Sequence, residues 1–520
     1  MADHPAATHT LRPAAADDLP AMADVFIQAW RSGYRGVVPD EVIDSLRPAQ
    51  VALELAGGLD DARLTTVLAT DTDGRPVGFA RYGDSAEHPG DGCLAALYVH
   101  PLAAGAGLGR RLLRHALDAM AERDVWLYVF EANTRARGVY DRAGFRPAGP
   151  RRTDPRRRTP EVLMLRRARN RPRPLAPLPD VELPRIRSVT TTVLRRPLRR
   201  PFRTALRTVR ELSAVEVVLR TGDGDTVSGT TVATPAITGD TEEAILAAVH
   251  GPIANALCRG PRPFGEGLAA VAAALRGVPS ARAAADIALH NLAARRIDPD
   301  PGGLEGLAAL FGNRPAPVRT DLTISLDDPP TMAAAAREAV AEGFDTLKLK
   351  LADPEHDVER VAAVHAGLGG ASRTAVLRLD ANQAWTRDEA VRTLDRIAAL
   401  DIDIELVEQP VAAGDIDGLA YLRARSPWPV LADESVFTAD DVRRVADASA
   451  ADLVNLKLLK CGGLGPARDV IAACAEAGLG LVVGCMLEPE EGVAAAHALA
   501  AAASTGPHAH DLDAGWWTAT

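Results

Sequence analysis

Lysine and cysteine are scarce in this sequence, no basic leader opens it, and no long apolar run goes uninterrupted. The five cysteines (Cys93, Cys258, Cys461, Cys474 and Cys485) are odd in number and irregularly spaced. They form neither a zinc-ligand pattern nor a disulfide framework, which points to a reducing cytoplasm. Residues 1–10 lack the basic-then-apolar order of a signal peptide. The longest apolar stretches are alanine-rich and broken by charge or histidine, so no transmembrane helix and no membrane partner are expected. A net charge of −10 leaves no positive surplus for nucleic acid. Few lysines beside abundant arginine, alanine and proline reflect GC-rich coding rather than function.

What is present is ordinary in bulk. With 520 residues, 47% hydrophobic and 25% charged, the chain has the composition of a soluble globular protein of two or three domains. Basic residues cluster at Arg151-Arg152, at Arg156-Arg157-Arg158 and over 166–173, where loops and a linker are expected.

Leu11-Arg12-Pro13 opens a strand, and Ala16-Asp17-Asp18 starts a helix with apolar positions at Leu19, Met22, Val25, Phe26 and Ala29. Residues 67–70, the Asp73-Gly74 turn and residues 77–80 read as a hairpin. The strand 94–99 enters Gly105-Ala106-Gly107-Leu108-Gly109, and a helix with Leu112, Leu113, Ala116 and Leu117 on one face follows. Such a turn is an anion site: its amides point outward, glycine lets a phosphate approach, and the helix dipole favours negative charge. The strand 125–129, Asn133, Ala136, Tyr140 and Gly144-Phe145 come next. Together these residues resemble the GCN5-related N-acetyltransferase (GNAT) family over 10–167. The resemblance implies that Gly105, Gly107 and Gly109 cradle the pyrophosphate of acetyl-CoA. It also implies that Val99 offers backbone contacts to the pantetheine, that Asn133 touches the cofactor and that Tyr140 protonates the leaving thiolate. Ala104 and Ala106 depart from the family pattern and remove side-chain help for the pyrophosphate. Glu131 and His100 are candidate bases by position only, and the amine acceptor stays open.

Pro172, Pro174, Pro177, Pro179 and Pro184 favour a stiff, extended linker. Runs 189–194 and 214–220 are β-rich, with a Gly222-Asp223-Gly224 turn, and helical patterns occupy 241–257, 265–275 and 281–296. Between the first two strands lies Pro201-Phe202-Arg203-Thr204-Ala205-Leu206-Arg207-Thr208. An arginine in a loop that closes over a site is a carboxylate clamp, because guanidinium presents a bidentate fork.

Strand-like runs then recur at 320–326, 346–351, 375–380, 404–408, 430–433, 453–457, 481–484 and 510–513, with helical segments between them. Eight such units read as a closed β/α barrel whose catalytic groups stand at the C-terminal strand ends. Lys350, Asp380, Glu408, Asp433 and Lys457 close five successive runs. Asp380, Glu408 and Asp433, converging without cysteine or histidine, point to Mg²⁺, with Mn²⁺ as the alternative. Lysines on strands 2 and 6 face each other across that metal, and burial and crowding are expected to lower their pKa values. A metal between two opposed bases suits removal of a proton α to a carboxylate and its return to the other face, which is racemisation or epimerisation.

Lys348-Leu349-Lys350, Leu379-Asp380-Ala381-Asn382-Gln383, Val407-Glu408-Gln409-Pro410, Ala432-Asp433-Glu434-Ser435 and Asn455-Leu456-Lys457 resemble the enolase superfamily, in its muconate-lactonizing subgroup, over 185–520. The resemblance implies Asp380, Glu408 and Asp433 as Mg²⁺ ligands, Lys350 and Lys457 as the acid/base pair, and Lys348 as support for the enolate. Asp511-Leu512-Asp513 narrows it to the dipeptide epimerases, including the L-Ala-D/L-Glu type. Carboxylates at i and i+2 of a strand point the same way and suit one ammonium. By the same resemblance Arg207 takes the side-chain carboxylate of a glutamate, and Thr323, Cys485, Met486 and Leu487 meet the dipeptide backbone.

The cap departs from its family pattern in Val227-Ser228-Gly229-Thr230-Thr231. The chain also stops shortly after strand 8, so an apparently truncated cap with an open sheet edge is expected. The expected fold is α/β and α+β: a GNAT domain (1–167), a linker (168–184), an α+β capping domain (185–315) and a (β/α)7β TIM-like barrel (316–520). The expected partners are a dipeptide, acetyl-CoA and an unknown amine, and a homo-oligomer is compatible with the reading. Two alternatives stay open. Only the acetyltransferase works and the barrel is a binding scaffold, or the barrel is a cycloisomerase or o-succinylbenzoate synthase, which leaves Asp511 and Asp513 without a role.

Overall fold

The computed structural model describes residues 9–104, 107–120, 123–148, 151–154, 157–166, 168, 171–298, 304–312, 318–369, 375–400, 402, 404–506 and 508–518. The chain divides into two compact units, residues 1–169 and 170–520.

In the first unit a mixed sheet runs in the order β1 (Thr10–Pro13), β2 (Leu64–Thr70), β3 (Pro76–Asp84), β4 (Gly92–Val99), β5 (Val125–Phe130) and β6 (Pro160–Arg166). Alternation along β2 decides what lies on each face. Val67 and Ala69 pack into a core with Leu112, Leu113 and Ala116 of α2 (Leu108–Ala119), and Leu68 packs with Met22, Phe26 and Trp30 of α1 (Leu19–Gly33). The expected hairpin forms, with Gly74 at φ +77° in its turn. The parallel strands β4 and β5 pair only at Gly92–Val125 and Cys93–Trp126, after which they part. A helix α3 (Thr134–Arg142) follows β5.

In the second unit the proline-rich segment is extended. It pairs with the rest of the unit at Arg171–Pro172 and at Glu182–Leu183. The cap is a three-stranded antiparallel sheet of β7 (Ile186–Arg203), β8 (Thr208–Thr221) and β9 (Thr226–Val232), backed by helices of which α4 (Pro279–Ile297) is the longest. Gly229 of β9 has a steric reason to be glycine: a Cβ there would stand 2.2 Å from the Ala284 carbonyl of α4. The expected bare edge of this sheet is partly covered. Leu198 of β7 bridges Thr518, and Trp517, fully buried, meets Phe202 edge-on at 4.8 Å between ring centroids.

The barrel strands are β10 (Leu322–Ile324), β11 (Thr346–Lys350), β12 (Val376–Asp380), β13 (Ile404–Glu408), β14 (Val430–Ala432), β15 (Leu453–Lys457) and β16 (Gly480–Gly484), paired in parallel in that order. Helices lie between them, and several are capped as their sequences dictate, with Thr386 and Thr438 forming capping boxes. The eighth strand is shorter than the expected 510–513. His510 bridges Thr320 and Asp511 bridges Gly484, which closes the barrel, but Asp513 has already turned (φ −87°, ψ 1°) to start α5 (Ala514–Trp517). Leu406, Leu431, Leu453 and Val482 plug the interior. No helix among the described residues is long and apolar enough to cross a membrane.

Candidate active site

Register builds the site. Lys348 pairs with Arg378, Lys350 with Asp380, and Asp380 with Glu408, so the last residues of β11, β12 and β13 form one row at the C-terminal mouth. Asp433 follows β14, and Lys457 ends β15. Strands 2 and 6 of eight are diametrically placed, which sets the two terminal lysines across the barrel from each other. Gly484 makes room for the second: a Cβ there would lie 2.3 Å from Asn455 Oδ1 and 2.8 Å from Lys457 Cε.

The ammonium groups rest on carboxylates. Lys350 Nζ donates to Asp380 Oδ2 at 2.5 Å and Lys457 Nζ to Asp433 Oδ2 at 2.8 Å. Lys348 Nζ lies 2.6 Å from Asp511 Oδ2, 3.5 Å from Glu408 Oε2 and 3.8 Å from Asp380 Oδ2. This reverses the expected lysine pKa direction. Burial alone lowers Lys348 and Lys457, but the surrounding carboxylates outweigh it and hold both well above the usual lysine value. The carboxylates answer unequally. Burial and the neighbouring Asp380 push Glu408 up to about 7, whereas Asp433 falls below the usual range because Lys457 and Lys460 overcome its burial.

Backbone strain holds the strand ends. Asn382, Gln383 and Gln409, none of them glycine, stand at φ 43°, 70° and 34° directly after β12 and β13. Gln409 ties two strands together: its Oε1 accepts from Asp433 N at 2.9 Å and its Nε2 donates to Ser435 Oγ at 2.8 Å.

Asp380, Glu408 and Asp433 fit a hard divalent cation by donor chemistry, and Asn382 Oδ1 and Glu434 Oε2 are buried nearby without a hydrogen-bond partner. Their oxygens are not drawn into one tight cluster, since Lys350 and Lys457 each hold one of the three carboxylates. Among the described residues the carboxylates that do converge, within 4.8 Å, are Asp321, Asp511 and Asp513.

A cavity is lined by Arg207, Thr323, Lys348, Lys350, Asp433, Lys457, Cys485, Met486, Leu487, Asp511 and Asp513, with Phe202, Ile237 and Trp517 among its apolar walls. The chain thus brings together every residue expected at the substrate, while Asp380 and Glu408 lie outside the lining. Asp511 and Asp513 converge through a turn rather than along a strand: Thr323 N and Trp517 Nε1 donate to Asp513 Oδ2 at 2.7 and 3.2 Å. Arg207 has no carboxylate partner among the described residues, and burial lowers its pKa.

Sequence reasoning gave Asn455 no role beyond its place in the Asn455-Leu456-Lys457 motif and missed Lys460 and Asp321. Asn455 Nδ2 donates to Glu408 Oε1 at 2.9 Å and to Asp511 Oδ2 at 3.1 Å. Lys460 Nζ donates to Asp433 Oδ1 at 2.6 Å and to Asn455 O at 3.1 Å. A signal for Lys460 was present. The chain has only four lysines, Lys348, Lys350, Lys457 and Lys460, and all four are buried here.

In the first unit Gly107, at φ +77°, caps α2, and Gly109 lies in its first turn; Gly105 is outside the described residues. Val99 ends β4 beyond the point where β4 and β5 part. Asn133 Oδ1 accepts from Ala136 N at 3.0 Å and so caps α3. Burial raises the Tyr140 phenol, whose ring meets Phe145 at 5.8 Å. Glu131 pairs with Arg151 at 2.8 Å, and His100 caps the turn after β4.

Three family descriptions match the chain: "Mandelate racemase / muconate lactonizing enzyme, N-terminal domain" at 186–299, "Enolase C-terminal domain-like" at 331–519, and "Acetyltransferase (GNAT) family" at 25–145. An L-Ala-D/L-Glu epimerase of Clostridium acetobutylicum is 36% identical over 319 residues, which is 61% of this chain and 87% of that one. A substrate-liganded L-Ala-D/L-Glu epimerase of Bacillus subtilis superposes with a TM-score of 0.60 at 34% identity, covering 65% of this chain and 92% of that one. A dipeptide epimerase of Enterococcus faecalis, complexed with Mg and L-Leu-L-Tyr, gives 0.59 at 33% identity over 65% and 92%.

Proposed function

Residues 186–299 and 331–519 belong to the mandelate racemase/muconate lactonizing enzyme family of enolase-like proteins, and from that premise we propose that this unit is a Mg²⁺-dependent dipeptide epimerase of the L-Ala-D/L-Glu type. One observation carries the reading: Lys350 and Lys457 enter one cavity from opposite strands, and the same wall holds Asp511 and Asp513.

Asp511 and Asp513 bind the dipeptide's ammonium, Arg207 pairs with the side-chain carboxylate of the second residue, and Thr323 and residues 485–487 flank its backbone. Lys350, as a free amine, takes the α-proton, and the C–H electron pair passes into the substrate carboxylate as an enediolate. Lys457, as an ammonium, gives a proton to the opposite face; for the other epimer the two lysines exchange roles. Lys348 stays charged and lies beside the developing negative charge. Asp380, Glu408 and Asp433 would hold Mg²⁺, whose positive charge would offset the negative charge that develops on the substrate carboxylate. The N-terminal unit is an acetyl-CoA-dependent N-acetyltransferase, with the turn at 105–109 for the pyrophosphate and Tyr140, kept protonated by burial, as acid toward the thiolate. The five free cysteines support a cytoplasmic setting for both activities.

The test is proton exchange. With Mg²⁺ in D₂O, the full chain is expected to place deuterium on the α-carbon of the second residue of L-Ala-L-Glu or L-Ala-D-Glu. Absence of exchange across a dipeptide library, with metal shown to be bound, would sink the epimerase reading.

A further inference from the structure

The helix Leu464–Ala477, after the sixth barrel strand, begins on Gly463, at φ +118°, which has no side chain to cap it. The first amides of a helix have no partner within it. Here a residue of the cap takes them. Asp286 of α4 is 4% exposed, and its Oδ1 accepts from Leu464 N at 2.7 Å and from Gly465 N at 3.2 Å. His290 Nδ1 lies 3.1 Å from the same oxygen. One turn earlier on α4, Arg282 Nη2 donates to Cys461 O at 2.7 Å. The fit leaves no room for side chains: a Cβ at Gly462 would stand 2.2 Å from Arg282 Nε, and one at Gly463 2.5 Å from Asp286 Cβ.

The gripped turn leads straight to a base. Lys457 ends β15, and the one-turn helix Leu458–Cys461 follows it at once. Leu458 O accepts from Gly462 N at 2.9 Å and from Gly463 N at 3.0 Å. The residue next to Lys457 is thus hydrogen-bonded to the two glycines that α4 holds. Lys460, inside the turn, carries the same constraint to Asp433 Oδ1 at 2.6 Å. Residues 458–463 are all buried. The other base is held differently. The loop after Lys350 is fixed from within the barrel, where Asp357 accepts from Ala352 N at 3.2 Å and from Asp353 N at 2.9 Å.

Resting on the epimerase reading above, we propose that Asp286 and Arg282 are positioning residues for Lys457: the cap helix sets the base on one face of the α-carbon and leaves Lys350, on the other face, to the barrel. Misplacing a catalytic group by about 1 Å can cost about 10²-fold in rate. Loosening the grip is therefore a stereochemically one-sided lesion, whereas loss of a merely structural contact lowers both faces alike.

The experiment uses the full chain with Mg²⁺ and two readouts. In D₂O, α-proton exchange is followed from L-Ala-L-Glu and from L-Ala-D-Glu, and the epimer that Lys457 serves is the one whose exchange Lys457→Ala removes. Asp286→Ala should lower kcat for that epimer about 10–100-fold and for the other by less than about threefold, with KM nearly unchanged. Asp286→Asn, whose amide oxygen still accepts from both backbone amides, should recover most of the loss. Arg282→Met should show the same bias at about 3–10-fold. The second readout needs no turnover. The four lysines, labelled with ¹³C at Cε, are followed by NMR and assigned by single substitution. In Asp286→Ala the signals of Lys457 and Lys460 should move and that of Lys350 should stay. Equal loss from both epimers overturns the proposal, as does a folded Asp286→Ala with wild-type rates or an unmoved Lys457 signal. Failure of Asp286→Ala and Arg282→Met alike to fold overturns it too, since the pair would then hold the domain rather than one base. A wild type that exchanges neither epimer, with metal bound, defeats the epimerase reading alone, and the lysine signals still decide the grip.

Discussion

Lys350 Nζ and Asp380 Oδ2 meet at 2.5 Å, the end of the second barrel strand against the end of the third. Lys457 repeats the arrangement with Asp433 at 2.8 Å on the far side. Two bases held on opposite faces predict stereochemical division of labour. Lys350→Ala and Lys457→Ala should each lower exchange from one epimer of the dipeptide by about 10²–10⁴-fold and affect the other far less. Proton NMR of each epimer in D₂O reads the division, and equal loss from both epimers in both variants would contradict it.

Arg207 faces the cavity with no carboxylate partner among the described residues. A half-buried guanidinium so placed awaits an anion. Arg207→Met should raise KM for L-Ala-L-Glu about 10–100-fold and leave L-Ala-L-Leu within about twofold. Steady-state kinetics on both dipeptides would show it.

The barrel and its row of charged strand ends were legible because each buried parallel strand is a short apolar run ending in one ionisable residue. That pattern repeats with the length of a β/α unit. The eighth strand read too long because Asp513 stands just before a short helix, and no local propensity separates a strand-end aspartate from a helix-starting one. Asp321, Arg378 and Glu405 were invisible for another reason. A charged residue inside a strand is ordinarily a solvated face, and only barrel closure puts Arg378 against Asp321 and Glu405.

That buried trio predicts an asymmetric response. Arg378→Met takes the guanidinium from Asp321 and leaves Glu405 with His508, and should cost about 3–5 kcal/mol of stability. Chemical denaturation of the full chain, taking the barrel transition, measures it; a loss below about 1 kcal/mol would mean that water or a proton replaces the guanidinium.

Glu488 gives a pH signature. It is 4% exposed, its Oε1 accepts from Met486 N, and burial pushes it up to about 7. Between the carboxylate value of the unfolded chain and about pH 7, the folded state holds the proton and the unfolded state does not. Stability attributable to this group therefore falls as pH rises through that window and is level above it. Glu488→Gln keeps the acceptor and removes the titration. Relative to wild type it should gain about 3 kcal/mol on going from pH 4 to pH 8. Denaturation curves of both proteins at the two pH values check the sign as well as the size.

In the N-terminal unit, Tyr140→Phe should lower kcat for acetyl transfer about 10²–10⁴-fold with KM for acetyl-CoA nearly unchanged. Gly107→Val should do the reverse, because a β-branched residue at φ +77° strains the turn by about 1–2 kcal/mol. Thiol release from acetyl-CoA with a panel of amines separates the two.

The scarcity of lysine sharpens one last expectation. Arginine supplies nearly every positive charge in this chain, yet Lys460 is retained beside Lys348, Lys350 and Lys457. A reason is visible at its ammonium, which donates to Asp433 Oδ1 at 2.6 Å, to Asn455 O at 3.1 Å and to the Asp433 carbonyl. Three N–H groups meet three acceptors around one point, which a planar guanidinium fork cannot reproduce in the same volume. Lys460 thereby fixes one oxygen of Asp433 and leaves the other to Lys457. Lys460→Arg and Lys460→Met should each weaken Mg²⁺ binding about 10–100-fold, as loss of a partner behind a metal ligand does. The arginine variant keeps the charge, so equal weakening in both would trace the effect to geometry, and full binding by the arginine variant would trace it to charge alone. Calorimetric titration of Mg²⁺ into each protein distinguishes these outcomes, and unchanged affinity in both would leave Lys460 no part in holding Asp433.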